Sequence, residues 1–268
     1  MANSTPQTGA LAVSIVIVNY NAGADLERCL ESLHAGAVRV AHEIVVVDNG
    51  SSDGGLARVV RWPDVRVIEN RANIGFARAS NIGMRASRGD ALLLLNNDTI
   101  VPPGAIDRLL EILESRPDVA VVGPRLVDAA GRAELSFGRM IGPLAEFRQK
   151  RLRQSPVVEE LTRREQSPDW VSGACLLVRR ADAEAVGLLD ERFFMYTEDV
   201  DFCASIRARG RRILFTPDVE IVHLRGRSAE SAPKATADAY RRSRIAFYQK
   251  HHPAWVPVLK LYLGLRRS

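Results

Sequence analysis

Asp98 follows the apolar run Leu92 to Leu95 through Asn96 and Asn97, and it is the first point in the chain where the residue types suggest chemistry. One carboxylate flanked by amides suits a hard divalent cation that also touches phosphate oxygens. The carboxyl end of a buried strand is where open α/β sheets bind ligands. The plainer alternative is an Asn/Asp turn ahead of Pro102 and Pro103. Asp48 ends another apolar run, with Asn49-Gly50-Ser51-Ser52-Asp53-Gly54 behind it. Its carboxylate could accept hydrogen bonds from a nucleobase imide or a ribose, or could simply form the turn. A third cluster is Tyr196-Thr197-Glu198-Asp199-Val200-Asp201, preceded by Asp190 to Phe194. Acids beside aromatic residues can supply a general base whose pKa rises with burial. They can equally cap a helix, with Thr197 at its start and acids in its first turn. His223 is followed by Arg225 and Arg227, a grouping suited to a metal-bound diphosphate, although a lone His is more often structural.

These residues need elements to hold them. Residues 12–18, Ile44 to Val47, Val65 to Ile68, Ala91 to Leu95 and Val119 to Val122 read as strands, most of them buried on both faces. Helical patterns fall between them at Asp25 to Leu33, Phe76 to Ala86 and Pro103 to Ser115, the last with proline at its start. This alternation predicts a parallel, doubly wound sheet of the α/β class. After Gly123 the rhythm breaks. Residues 137–168 read as an insertion or partly helical flap without a strand period. Order resumes at Trp170 to Val178, then in a helix containing Asp201 to Arg209. Arg212 to Phe215 and Glu220 to Leu224 are short strand candidates. A basic helix near Tyr240 to Lys250 and an apolar stretch, Ala254 to Leu265, close the chain.

Composition narrows the function classes. The 268 residues carry 37 Lys/Arg against 32 Asp/Glu, a net charge of +5 that is too modest to imply nucleic acid. From Arg225 onward there are ten Lys/Arg and two Asp/Glu, a local +8, so the basic character is C-terminal. Cys29, Cys175 and Cys203 lack the spacing of a zinc site or a disulfide framework, and reduced thiols are expected. Residues 1–10 are small and polar, without a signal-peptide layout, and are expected to be flexible. No apolar run approaches the roughly 20 residues that span a bilayer. A catalytic body facing the cytoplasm is the expectation. Neither G-x-G-x-x-G after the first strand nor G-x-x-x-x-G-K-[ST] is present, which argues against a dinucleotide dehydrogenase and a P-loop NTPase.

From about Val13 to Arg227 the chain resembles the inverting, GT-A-fold glycosyltransferases of the family 2 type, in particular their rhamnosyltransferase-like branch. The resemblance rests on six motifs in order: VSIVIVNYN, EIVVVDNGSSDG, NIGFARASNIG, LLLLNNDT, WVSGACLLVRR and FFMYTEDVDFC. It implies a Rossmann-like, mostly parallel sheet flanked by helices. Residues 11–123 would form the nucleotide-sugar half and 124–227 the acceptor and catalytic half, with residues 228–268 as a C-terminal appendage. By the resemblance, Asn19, Tyr20 and Asp48 line the nucleoside pocket, with Asn49 beside them. Asn73, Gly75 and Asn81 shape the sugar-nucleotide pocket. Asn96-Asn97-Asp98 matches the D-x-D motif, so Asp98 binds Mg²⁺ or Mn²⁺. Trp170, Gly173 and Ala174 form the wall where donor sugar meets acceptor. Asp199 is the general base, with Glu198 as runner-up, and His223 is a further metal ligand. Asn96, Asn97, Arg225 and Arg227 belong to the donor side. The first aspartate of D-x-D is Asn96 here, which removes one negative charge beside the metal.

The reaction implied is transfer of a sugar, rhamnose by proximity to that branch, from a dTDP- or UDP-linked donor to a hydroxyl of a glycan or lipid-linked acceptor. Trp255 and Tyr262, with apolar residues between them and His251, His252, Arg266 and Arg267 around them, resemble an interfacial membrane segment. Packing on the catalytic body or in a homodimer is the alternative. A sugar-nucleotide pyrophosphorylase would show a Gly-rich loop where this chain has Asn19-Tyr20-Asn21-Ala22-Gly23. A non-catalytic glycan-binding relative would lack Asp98 and Asp199, and both are present.

Overall fold

The computed structural model describes residues 10–142, 157–224 and 233–265. Its elements in chain order are β1 (Val13–Asn19), α1 (Gly23–Ser32), β2 (His42–Asp48), α2 (Leu56–Val59), β3 (Val65–Glu69), α3 (Phe76–Ala86), β4 (Ala91–Asn96), β5 (Thr99–Ile100) and α4 (Ala105–Glu114). Then follow β6 (Val119–Val127), β7 (Ala133–Glu134), β8 (Phe137–Gly138), α5 (Val157–Leu161), β9 (Trp170–Val171), β10 (Cys175–Arg179) and α6 (Arg180–Ala185). The chain ends in α7 (Glu198–Ala208), β11 (Arg212–His223), α8 (Pro233–His251) and α9 (Val256–Leu265).

The main sheet runs β3-β2-β1-β4-β10-β6-β11-β5, with β7 hung on β6, while β8 and β9 form a separate pair. Its strands alternate between two cores. Ile15, Ile17, Leu93 and Leu95 pack with α1 and α4 on one face. Val16, Leu92, Leu94 and Leu176 pack with α3, α7 and α8 on the other. Both faces are covered, so the strands are continuous apolar runs rather than alternating ones. Gly83 brings α3 onto the sheet, where a Cβ would strike the Val16 side chain.

Four sequence expectations need adjustment. The sheet is mostly parallel, as the resemblance implies, but not wholly so, because β10 lies antiparallel to both β4 and β6. An apolar run reports burial and not direction, so Cys175 to Val178 reads the same either way. Arg212–His223 is one strand instead of two, with a register break between Thr216 and Glu220 around Pro217. Proline cannot donate to the ladder, which makes the bulge its natural place. The stretch 137–168 holds β8 and α5, and its residues 143–156 lie outside the described residues. Proline does not open α4 either: Gly104, left-handed at φ 73°, precedes Ala105, with Pro103 one residue earlier.

Candidate functional site

Strand register determines what meets at the edge of the sheet. Asn19 pairs with Asp48 across β1 and β2, and Val18 pairs with Asn96 across β1 and β4. The ends of three parallel strands are therefore level. β10 runs the other way, so Gly173 and Ala174, just before it, reach the same edge. There the Asn96 N–H donates to the Ala174 carbonyl at 2.9 Å. β11 also ends here, with His223 opposite Thr99.

On the β1–β2 side, Asn19 and Asp48 are buried. Asp48 Oδ1 accepts from Asn19 Nδ2 at 3.1 Å and from Ser51 Oγ at 2.6 Å, while Oδ2 accepts from the Ser51 N–H at 2.9 Å. Asp48 thus builds its turn and keeps acceptor capacity on Oδ2, since a carboxylate oxygen takes two donors. Asn97 Nδ2 donates to Asn19 Oδ1 at 2.9 Å, which ties this side to the Asp98 turn. Tyr20 is exposed beside it. Asn49 is a hub: Nδ2 donates to Asn73 Oδ1 at 2.9 Å, and Oδ1 accepts the Ile74 N–H at 3.1 Å. These bonds fix the loop that delivers Gly75. That glycine is at φ 90°, and a Cβ there would sit 2.5 Å from the Phe194 carbonyl oxygen. Asn81 lies deeper. Its Nδ2 donates to the Leu189 carbonyl and to Glu191, and its Oδ1 accepts the Leu189 N–H, so it braces the 189–191 loop.

Across the edge, His223 sits between two carboxylates. Its Nε2 is 3.3 Å from Asp98 Oδ1, and its Nδ1 is 3.2 Å from Glu134 Oε2. Burial works against the imidazolium, but the two carboxylates outweigh it and raise the His223 pKa to about 9. The Asp98 carbonyl accepts the Leu224 N–H at 2.8 Å, which pins the end of β11 to the turn. Glu134 was not legible in the sequence, because nothing in Ala-Gly-Arg-Ala-Glu marks it. Only the pairing of β7 with β6 carries it to His223. Arg225 and Arg227 lie outside the described residues.

The acid pair opens α7. Asp199 Oδ2 accepts the Gly173 N–H at 2.9 Å and Oδ1 accepts the Val200 N–H at 2.8 Å. A side chain at position 173 would crowd Asp199 Cβ at 3.3 Å. Glu198 is buried, and its Oε2 has no hydrogen-bond partner among the described residues. Burial first, and the charge of Asp199 second, push its pKa up to about 8. The two neighbours therefore differ in surroundings: Glu198 is pushed towards its protonated form, and Asp199 is held by backbone donors. Trp170 stands back from the edge. It is buried, and its indole N–H donates to the Arg139 carbonyl at 2.9 Å. Ala174 meets the Asn96 turn, and Gly173 meets Asp199.

No cage of three or more His, Cys, Asp or Glu side chains closes around a point among the described residues. Asp98 offers an oxygen, and His223 would offer a nitrogen once its ring gives up the proton that the two carboxylates favour there, a partial set of the kind that substrate phosphates complete. A separate concavity of about 280 Å³ is lined by Arg85, Glu191, Asp201 and Lys250. Those charges are paired within the protein and take no part in this edge. The three cysteines are buried and unpaired, and burial pushes Cys29 and Cys203 up to about 12.

Together the curled mixed sheet and the polar edge define a GT-A-type protein. Solved glycosyltransferases share the fold. The mannosyltransferase of Pyrobaculum calidifontis, in complex with GDP-Man and Mn²⁺, superposes with a TM-score of 0.63 over 94% of this chain and 69% of its own, at 21% identity. GalNAc-T7, with UDP, GalNAc and Mn²⁺, gives 0.62 over 81% of this chain and 44% of its own, at 20% identity. The profile described as glycosyltransferase like family 2 matches residues 10–256. The chain belongs to that family. It is 32% identical to the N-acetylglucosaminyl-diphospho-decaprenol L-rhamnosyltransferase of Mycobacterium tuberculosis, over 90% of this chain and 85% of the relative. It is 28% identical to the low-salt glycan biosynthesis hexosyltransferase Agl10 of Haloferax volcanii, over 79% and 66% of the two chains.

Proposed function

We propose that the protein transfers a deoxyhexose, rhamnose in the first instance, from a dTDP- or UDP-linked donor to a hydroxyl of a lipid-linked glycan, with inversion at the anomeric carbon. The supporting observation is one hydrogen-bonded path across the sheet edge: Asp98 belongs to the turn whose Asn96 N–H meets the Ala174 carbonyl, and the neighbouring Gly173 N–H meets Asp199. A candidate metal ligand and a candidate base thus share one rigid strand junction. Asp199 takes the proton from the acceptor hydroxyl as that oxygen attacks. Its orientation by two backbone donors is what general-base work requires. Asp98 and His223 would hold Mg²⁺ or Mn²⁺, which when bound neutralises charge on the leaving diphosphate. Asp48 and Asn19 receive the base, and Asn97 connects them to the metal side. Likeness to the mycobacterial relative, whose name gives a rhamnosyl group and a decaprenol-linked acceptor, supports this choice of sugar and acceptor class.

The experiment is a thermal-shift panel of nucleotide sugars with Mn²⁺ or Mg²⁺, followed by product analysis with the best donor. A matching donor raises the melting temperature by mass action, and turnover releases a nucleoside diphosphate. Release of pyrophosphate would make the protein a pyrophosphorylase. Binding without turnover would make it a glycan-binding relative.

A further inference from the structure

Helix α9 is apolar on both sides, and among the described residues only one side is covered. Val256, Leu259 and Leu263 pack on the core that holds Phe247 and Tyr248. On the opposite side Val258, Leu261 and Tyr262, with Trp255 just ahead, are exposed by 55%, 66%, 43% and 48%. Residues 255–262 hold four of the ten exposed large hydrophobic side chains among the described residues. Single exposed apolar residues are ordinary, but a cluster marks a contact surface.

We propose that this face docks on an anionic lipid bilayer. The helix has ten residues, far short of the roughly 20 that cross a membrane, and no described helix is long and apolar enough to do so. It lies on a surface rather than through one. Trp and Tyr place an apolar ring and a polar tip at such a boundary. Residues 233–265 carry six Lys/Arg and one Asp; Lys250 is paired with Asp190 and Asp201, and Lys260 lies on α9 itself. That charge attracts acidic headgroups and repels a second copy of the chain. Area points the same way. Four half-exposed side chains offer on the order of 400 Å², about half of the roughly 800 Å² per partner of a stable dimer.

The geometry links this face to the acid pair. The chain turns at His252 and Pro253, and α9 folds back on α8, with the Arg244 guanidinium 5.7 Å from the Tyr262 ring centroid. Beside Arg244, Ser243 Oγ donates to the Met195 carbonyl at 2.7 Å, and Tyr240 packs edge-on against Tyr196. One face of the helix pair meets lipid while the other holds the segment leading into Glu198 and Asp199. This rests on the proposed lipid-linked acceptor for its purpose, though not for its geometry.

The test is flotation of the full chain with vesicles of phosphatidylcholine alone or mixed with phosphatidylglycerol, at low and high salt. The wild type should float with the mixed vesicles, and less at high salt. Combining Trp255→Ser, Leu261→Ser and Tyr262→Ser should lower partitioning by at least about tenfold. If that variant melts early, Trp255→Phe replaces it: brominated lipid should quench wild-type tryptophan emission, and that quenching should vanish. Equal flotation of wild type and variant overturns the proposal. So does a wild-type dimer, seen in sedimentation, that the variant splits. Calorimetry with dTDP or UDP and Mn²⁺ runs in parallel. Nucleotide binding without flotation defeats the membrane surface alone, and flotation without nucleotide binding defeats the proposed function alone.

Discussion

Adjacent carboxylates are usually indistinguishable, but Glu198 and Asp199 have been given different surroundings. Burial first, and the charge of Asp199 second, raise the Glu198 pKa and favour its protonated form. Asp199 faces Gly173 across a 2.9 Å hydrogen bond at the strand junction. Asp199→Asn should therefore lower kcat by roughly 10² to 10⁴, the usual worth of general-base catalysis. Calorimetric nucleotide binding should be unchanged. Glu198→Gln should keep most of the activity near pH 7, and a collapse there would move the base to Glu198. The same variant has a stability signature. A carboxyl whose folded pKa lies above its unfolded one stabilises the fold at low pH, and that contribution is lost as pH rises from the unfolded value of 4.5 towards about 8. Melting temperatures taken across that window should show the wild type losing stability relative to Glu198→Gln as pH rises.

At the scale of elements, the hairpin that carries β7 contributes what the motifs do not. Glu134 holds His223 Nδ1 at 3.2 Å, which leaves Nε2 directed at Asp98. An outer carboxylate of this kind fixes the tautomer and ring orientation of a ligating histidine. Glu134→Gln should weaken Mn²⁺ binding, read by calorimetry with nucleotide present, by about 10- to 100-fold. The fold should remain intact in the same sample. Why Glu134 was hidden follows from its position: it reaches the site by strand pairing, and a two-residue strand after a turn has no period to read. β4 and α3 were legible because burial imposes a continuous apolar run on one and a packed stripe on the other. The direction of β10 was not, since antiparallel and parallel buried strands share one pattern. Asn81 and Trp170 were assigned by motif to the pocket and its wall. Their amide and indole groups bond the Leu189 and Arg139 carbonyls and the Glu191 side chain, contacts that depend on side-chain direction and that no motif spells out.

For the whole molecule, the question is what keeps the acid pair in place. Tyr196 and Thr197 are both left-handed, at φ 72° and 66°, a conformation costing such residues of order 1–3 kcal/mol each. It persists only if the surroundings enforce it, and α8 provides that enforcement along its length. Its middle bonds Met195 and packs on Tyr196, and its end places Lys250 Nζ at 2.8 Å and His251 Nε2 at 2.6 Å from the buried Asp201. Asp190 takes a second bond from Lys250 at 2.9 Å, so the helix closes over both ends of the 190–201 segment. The C-terminal helices are then part of the catalytic body, whatever else α9 touches. Asp201→Asn keeps the shape but removes the counter-charge, and Lys250 is partly solvated and retains Asp190. The expected loss is thus about 2 kcal/mol, below the full 3–5 kcal/mol for breaking a buried pair. That corresponds to about 4–8 °C in melting temperature for a chain of this size. Steady-state kinetics should show kcat falling while the donor KM stays near the wild-type value, because Asn19, Asp48 and Asn97 belong to the other half of the sheet. A change confined to KM would mean that α8 serves the donor pocket and not the acid pair.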